Sequence, residues 1–453
     1  MNKTINFYKR KLVINIFRTP SQEIKDKITL WLNHLLVIYA FLIPINNNAK
    51  SSLFFTMLVL FLYRRDYWFY LKDAFNNKIV QAFLIFYVAN VIGLFYTENI
   101  EYGMSHMDKA KYLLFPLFFL SFLDVRFAFR IITAFILGML VAEIFSYLIH
   151  FGILPYEFYI GKYEIWETTL GSPAPFLSHI DHNIGLGVVV AVLLYQLLNN
   201  KSLNILIKIG TFLFIISATI NMSFIASRGG YVLYLVLLFV VFLLTYKKNI
   251  IKILLVSCIL LSSISYISYT YADTVNKRVN QTIDNVQKII NENNYNSSIG
   301  LRIGFTKYSI DTIKENLFFG VGVGDHMDVV KKSLPKEHSY IKEITNPHNT
   351  YIQVLLQLGL FGFILFIYLF YTVLSCKVDK YKKNIIIIVT IAVLIFMLPG
   401  TFFATFELPL FATFVSALIA IKKYDFKVDN YNFDLFKKYF IIIVLFLIIG
   451  ITR

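Results

Sequence analysis

The chain has 453 residues, 57% of them hydrophobic and only 15% charged, with a formal net charge of +16. Soluble domains are about a quarter charged, so this composition excludes an ordinary soluble fold. The apolar residues come in continuous blocks long enough to span or nearly span a ~30 Å hydrocarbon core, which also excludes an alternating β-barrel pattern. The positive charge does not imply nucleic acid, because the lysines and arginines fall mostly in short loops between apolar blocks.

In chain order, the first 27 residues are basic, and no short apolar stretch with a small-residue cleavage site follows. Trp31 to Ile45 therefore reads as a retained first span. Spans are predicted at 28–46, 49–63, 79–96, 110–123, 127–150, 183–198, 203–224, 229–246, 250–270, 350–375, 384–399 and 403–421, about 12 transmembrane helices in all. A run at 438–451 is either a thirteenth span or an interfacial helix. Basic residues orient the chain: Lys9, Arg10, Lys11, Arg18, Lys25 and Lys27 precede the first span, Arg64 and Arg65 follow the second, and Arg126 and Arg130 follow the fourth. Lys247 and Lys248 follow the eighth, Lys377, Lys380, Lys382 and Lys383 the tenth, and Lys422 and Lys423 the twelfth. All fall on one side, the cytoplasm.

The other side receives 97–109, 151–182, 271–349 and a turn near Pro399–Gly400. The expected division is N-terminal transmembrane helices over 1–270, a loop domain at 271–349, and C-terminal transmembrane helices over 350–453. The loop has ten Lys/Arg against nine Asp/Glu. Val275, Val279, Ile283, Val286 and Ile290 predict an amphipathic helix over 273–292. A second helix is predicted over 301–316, with Leu301, Phe305, Tyr308 and Ile313 on one face. The glycines of GVGVG end it and turn the loop back to the membrane. Cys258 and Cys376 have no metal-ligand spacing, and no disulfide is expected between them.

Three residues stand out. Arg228, in SFIASRGGYVLYLV, sits at an outer span junction, where a charge is costly and tends to be functional, although snorkelling would also explain it. Arg302 is placed in the first turn of the second loop helix, where it would oppose the helix dipole unless an anion sat there. His348 lies between Pro347 and the tenth span, and an imidazole suits proton transfer near neutral pH. GVGVGD lacks the Lys-Ser/Thr of a phosphate loop and follows no strand, so a tight turn is the better reading. His326 and His338 lack metal spacing. Weaker outer-side groups are His179, Asp181 and His182, then His106, Lys109 and Lys111, and Glu407, each also explicable as interfacial polarity.

SRGGYV at 227–232, LR with KENLFFGVGVGDH between 301 and 326, and PHNTYIQVLLQLGLFG at 347–362 together resemble the O-antigen ligase (WaaL-type) and Wzy-type O-antigen polymerase superfamily. The motifs cover about 225 to 375. The resemblance implies an all-α polytopic membrane protein with a long helical periplasmic loop, GT-C-like, in the bacterial inner membrane. It implies a metal-independent, inverting glycosyltransferase that needs no cofactor. Such an enzyme moves a glycan from undecaprenyl diphosphate to a sugar hydroxyl of lipid A–core in lipopolysaccharide biosynthesis. Arg228 and Arg302 would engage the diphosphate, His348 would activate the acceptor, and Lys111 and His182 are further substrate-binding candidates. The alternatives are a Wzy-type polymerase, a protein O-oligosaccharyltransferase, and a transporter or flippase. A transporter would place its notable residues at the bilayer midplane rather than at the outer face.

Overall fold

The computed structural model describes residues 19–246, 250–425, 427–428 and 432–451. Of the orienting residues, Lys9, Arg10, Lys11, Arg18, Lys247 and Lys248 lie outside the described residues. Helices dominate, as the continuous apolar blocks require. The first are α1 (Gln22–Leu42), α2 (Asn47–Tyr63), α3 (Tyr67–Phe75), α4 (Lys78–Phe95), α5 (Ile100–Ala110), α6 (Phe115–Phe122) and α7 (Ala128–His150). After a two-stranded hairpin come α8 (His179–Asn199), α9 (Ile205–Phe224), α10 (Arg228–Thr245) and α11 (Ile250–Tyr271). The loop domain holds α12 (Asp273–Glu292), α13 (Ser298–Glu315) and α14 (His326–Lys332). The last four are α15 (Thr350–Leu374), α16 (Lys380–Phe396), α17 (Glu407–Ile419) and α18 (Phe433–Ile451).

Among the described residues, six helices are long and apolar enough to cross a membrane, and they include α4, α8, α9 and α10. The chain is a multi-pass membrane protein. At its centre is α8, buried without interruption from His182 to Leu193, as expected of a helix that is apolar all round. The predicted fourth span, 110–123, is not one helix. It divides into a 3-10 turn, Lys111–Leu114, and the eight-residue α6, whose second position is Pro116. At 1.5 Å per residue α6 is about 12 Å long, too short to cross the hydrocarbon alone. Helix α18 runs beside α1 and α2. Tyr439 Oη meets His34 Nδ1 at 2.6 Å, and Asn48 Nδ2 donates to the Gly450 carbonyl at 3.3 Å.

Several loops read as cytoplasmic meet at one end of the bundle. Lys423 Nζ lies 2.6 Å from Asp73, Arg126 Nε donates to Asp124 at 2.7 Å, and Lys25 lies 3.4 Å from Asp66. At the other end the loop domain docks on the 97–99 turn, where Asp325 accepts from the Glu98 and Asn99 amides at 2.8 and 2.7 Å. The hairpin there, β1 (Glu157–Ile160) and β2 (Tyr163–Glu167), is antiparallel and turns at Gly161, φ +62°. In the loop a second, smaller core forms from Tyr295, Phe305, Met327, Val330 and Ile341 together with Leu356 of α15.

The predicted tenth span, 350–375, is broken. Gly359 has φ +62° and ψ −161°, and the two halves of α15 fold sharply on each other. The rings of Tyr351 and Phe366 lie 6.0 Å apart, whereas fifteen residues of straight helix would separate them by about 22 Å. The backbone groups freed by the break are taken up by the segment 317–322. The Leu360 and Phe361 amides donate to the Leu317 and Phe318 carbonyls, and the Val321 and Gly322 amides donate to those of Leu356 and Gln357. The glycine-rich turn is therefore a wedge set into a broken helix. At Gly320, φ +68°, a Cβ would stand 2.4 Å from the Leu356 carbonyl oxygen. Gly320→Ala is expected to lower the melting temperature in detergent more than Gly152→Ala. Gly152 shares the left-handed φ, worth roughly 1–2 kcal/mol to an L-residue, but has no atom within 4 Å of its would-be Cβ.

Candidate functional site

Arg228 is the first residue of α10. Ser227 caps that helix, its Oγ accepting from the Gly230 amide at 3.3 Å. A Cβ on Gly230 would lie 2.5 Å from Asn183 Cβ, so this glycine lets α10 press against α8 and holds Arg228 near the start of α8. The guanidinium Nη2 donates to Gln281 Oε1 of α12 at 3.2 Å, while its buried Nε has no hydrogen-bond partner. Arg278, one turn earlier on α12, donates from Nη1 to the same Gln281 oxygen at 3.3 Å.

Arg302 comes from α13, and its position corrects the dipole argument made from sequence. Ser297 caps α13 by accepting from the Gly300 amide at 3.0 Å, so the helix starts at Ser298 and Arg302 lies in its second turn. The arginine in a first turn is Arg228. Burial pushes the pKa of Arg302 down, with no counter-charge acting to raise it. Among the described residues, Arg228, Arg278 and Arg302 make no ion pair, and the charges of Arg278 and Arg302 both bear on Arg228.

His348 is held in an unusual backbone conformation, φ +48°, which is uncommon outside glycine. Its amide donates to Asn346 Oδ1 at 2.9 Å, and Asn349 caps α15 by accepting from the Ile352 amide at 3.2 Å. Thr350 then fastens the segment: its amide donates to the Met397 carbonyl at 2.9 Å and its hydroxyl to that of Gly400 at 3.0 Å. Burial, and next the charge of Arg302, lower the His348 pKa to about 4. Among the described residues none hydrogen-bonds to either ring nitrogen. Both causes favour the neutral imidazole at physiological pH.

Beneath Arg228 and Arg278 the helices α9 to α12 enclose a cavity of about 540 Å³. Met222, Leu235, Ile264 and Val279 make part of an almost wholly apolar wall. Two cations on an apolar cavity suit a lipid with an anionic headgroup. No three His, Cys, Asp or Glu side chains among the described residues gather where a metal ion could sit.

Residues 211–367 match the family model described as O-antigen ligase. That segment is similar to the O-antigen ligase and Wzy-type superfamily. Comparison with curated proteins finds no match. The family is one of glycosyl-transferring enzymes. The matched segment contains Arg228, Arg278, Arg302 and His348, and leaves Lys111 and His182 outside it.

Among the described residues, no hydrogen bond joins those last two to Arg228, Arg278 or Arg302. Lys111 is exposed and paired with Asp108 at 2.5 Å. His182 is fully buried, its Nε2 3.1 Å from Asn221 Oδ1. One turn earlier, the half-buried His179 is within electrostatic reach of both Arg278 and Arg302. His106 is buried against Asn90 Oδ1 at 2.8 Å, and His338 is fixed between Tyr308 Oη at 2.5 Å and the Asn293 carbonyl at 3.1 Å. Glu407 is 2% exposed, and Asp181 and Lys50 are the charged groups that act on it. Sequence reasoning missed Arg278 and Gln281. Both lie on the amphipathic helix it had found, and only the hydrogen bond from Arg228 of α10 to Gln281 distinguishes them from solvated polar residues.

Proposed function

We propose that the chain is an O-antigen ligase, transferring a glycan from undecaprenyl diphosphate to a sugar hydroxyl of lipid A–core at the periplasmic face of the inner membrane. The observation that carries this reading is that the charge of Arg302 bears on the half-buried imidazole of His348, whose burial favours the neutral form. Glycosyl transfer needs both parts: a cation where the leaving diphosphate gains charge, and a base where the acceptor hydroxyl loses its proton. The acceptor oxygen forms its bond to the anomeric carbon while the carbon–oxygen bond to the diphosphate breaks. The bonding pair leaves with the diphosphate, onto Arg302 and Arg228, and the hydroxyl proton passes to His348. A single displacement of this kind inverts the anomeric centre. Guanidinium groups suit the leaving group because they stay charged and offer paired donors to phosphate oxygens.

The test gives the purified protein a glycan on undecaprenyl diphosphate together with lipid A–core. The expected product is capped core with release of the lipid diphosphate. A longer glycan still on its carrier would make the chain a polymerase instead, and no new glycosidic bond would overturn the reading.

A further inference from the structure

We propose that Arg278 is a third phosphate-binding residue, and that Gln281 occupies, in the unliganded protein, the position of a phosphate oxygen. The inference rests on the reading of the donor as a lipid diphosphate. Its starting point is one atom: Gln281 Oε1 accepts from Arg228 Nη2 at 3.2 Å and from Arg278 Nη1 at 3.3 Å. The two arginines come from different helices, α10 and α12, and converge on one neutral oxygen.

An amide carbonyl satisfies two donors but cancels neither charge. Among the described residues no carboxylate pairs with Arg228, Arg278 or Arg302, and Arg228 feels the charge of both the others. The buried Nε of Arg228 is a donor with no acceptor. Two cations on one weak acceptor, with the charge of a third bearing on them, are an arrangement that an anion would relieve. A phosphate oxygen binds as Gln281 Oε1 does, accepting from two guanidinium groups at once, and adds the charge the amide lacks. A diphosphate offers more oxygens than a monophosphate for the donors that Gln281 leaves unmet, the Arg228 Nε among them.

The neighbouring cavity fixes the kind of molecule. Arg228 and Arg278 both line it, and its wall is otherwise almost entirely apolar, so the bound anion is the head of a lipid whose chain enters between α9, α10 and α11. Gln281 is exposed, so its replacement does not disturb a core.

The experiment measures binding of farnesyl diphosphate and farnesyl monophosphate to the full-length protein in detergent. The wild-type protein is expected to prefer the diphosphate by at least tenfold, and Arg278→Ala to lose most of that preference. Gln281→Glu places a fixed carboxylate on the two guanidiniums and is expected to weaken diphosphate binding by about tenfold. Gln281→Ala is expected to bind the diphosphate more tightly, since no amide has to be displaced. A merely structural Gln281 would give the reverse order, with alanine the more damaging change, and would overturn the assignment. Diphosphate binding unchanged in both Arg278→Ala and Gln281→Glu would also overturn it, while leaving the ligase reading intact if Arg302→Ala still fails in transfer. A wild-type protein that binds neither probe would remove the donor reading and this inference together.

Discussion

His348→Ala is expected to lower glycan transfer by about 10²–10⁴, the range that general-base help supplies, with the protein still inserted and folded. His348→Gly separates chemistry from architecture. The native φ of +48° is strained for histidine and free for glycine, so the glycine variant should melt no lower than the alanine variant while being equally inactive. If either variant transfers glycan at the wild-type rate, His348 is not the base. The pH profile gives an independent check. Burial and the Arg302 charge hold the imidazole near a pKa of about 4, so its neutral, proton-accepting form predominates at all higher pH. The kcat/KM of the wild-type protein should therefore stay level as pH falls from 7 to about 5 and drop as it passes through about 4. An acid limb near the ordinary histidine value of about 6.5 would mean that His348 is exposed in the working enzyme.

What was legible in the sequence was legible through local pattern. The amphipathic helix predicted over 273–292 has those bounds because its apolar period and the left-handed Asn293 that ends it lie in consecutive residues. His348 and Arg302 stood out as charged or titratable groups in motifs at the edge of apolar runs. What did not read was whatever depends on a remote partner. Gly359 resembles any other glycine in an apolar helix, and the break it makes is stable only because 317–322, forty residues earlier, supplies the missing backbone partners. Pro116 marked the shortness of α6, but the apolar run around it concealed that mark. The hairpin at 157–167 had a readable two-residue turn, Gly161–Lys162, inside a loop where no strand was sought. Arg278 could not be told from Lys277 beside it, because what marks it is the Gln281 oxygen that it shares with Arg228, a residue fifty positions earlier in the chain.

Arg302→Ala is expected to lower transfer by about 10²–10³, the usual loss when one donor to a developing anion is removed. The argument is electrostatic. Arg302 is half-buried, its pKa is depressed by burial alone, and no carboxylate among the described residues neutralises it, so its charge is available to a ligand. As the glycosidic carbon–oxygen bond breaks, the diphosphate gains a full negative charge, and a guanidinium already fixed beside it stabilises that charge without reorganising. Arg302→Lys keeps the charge and loses the planar fork, so it should recover part of the activity and no more. The two variants also differ in how they act on His348. Removing the charge takes away the second cause of the low imidazole pKa, so residual activity in Arg302→Ala should show its acid limb at higher pH than in Arg302→Lys. Coincident acid limbs in the two variants would mean that Arg302 and His348 do not act on one another, and the joint site built on that pair would fall.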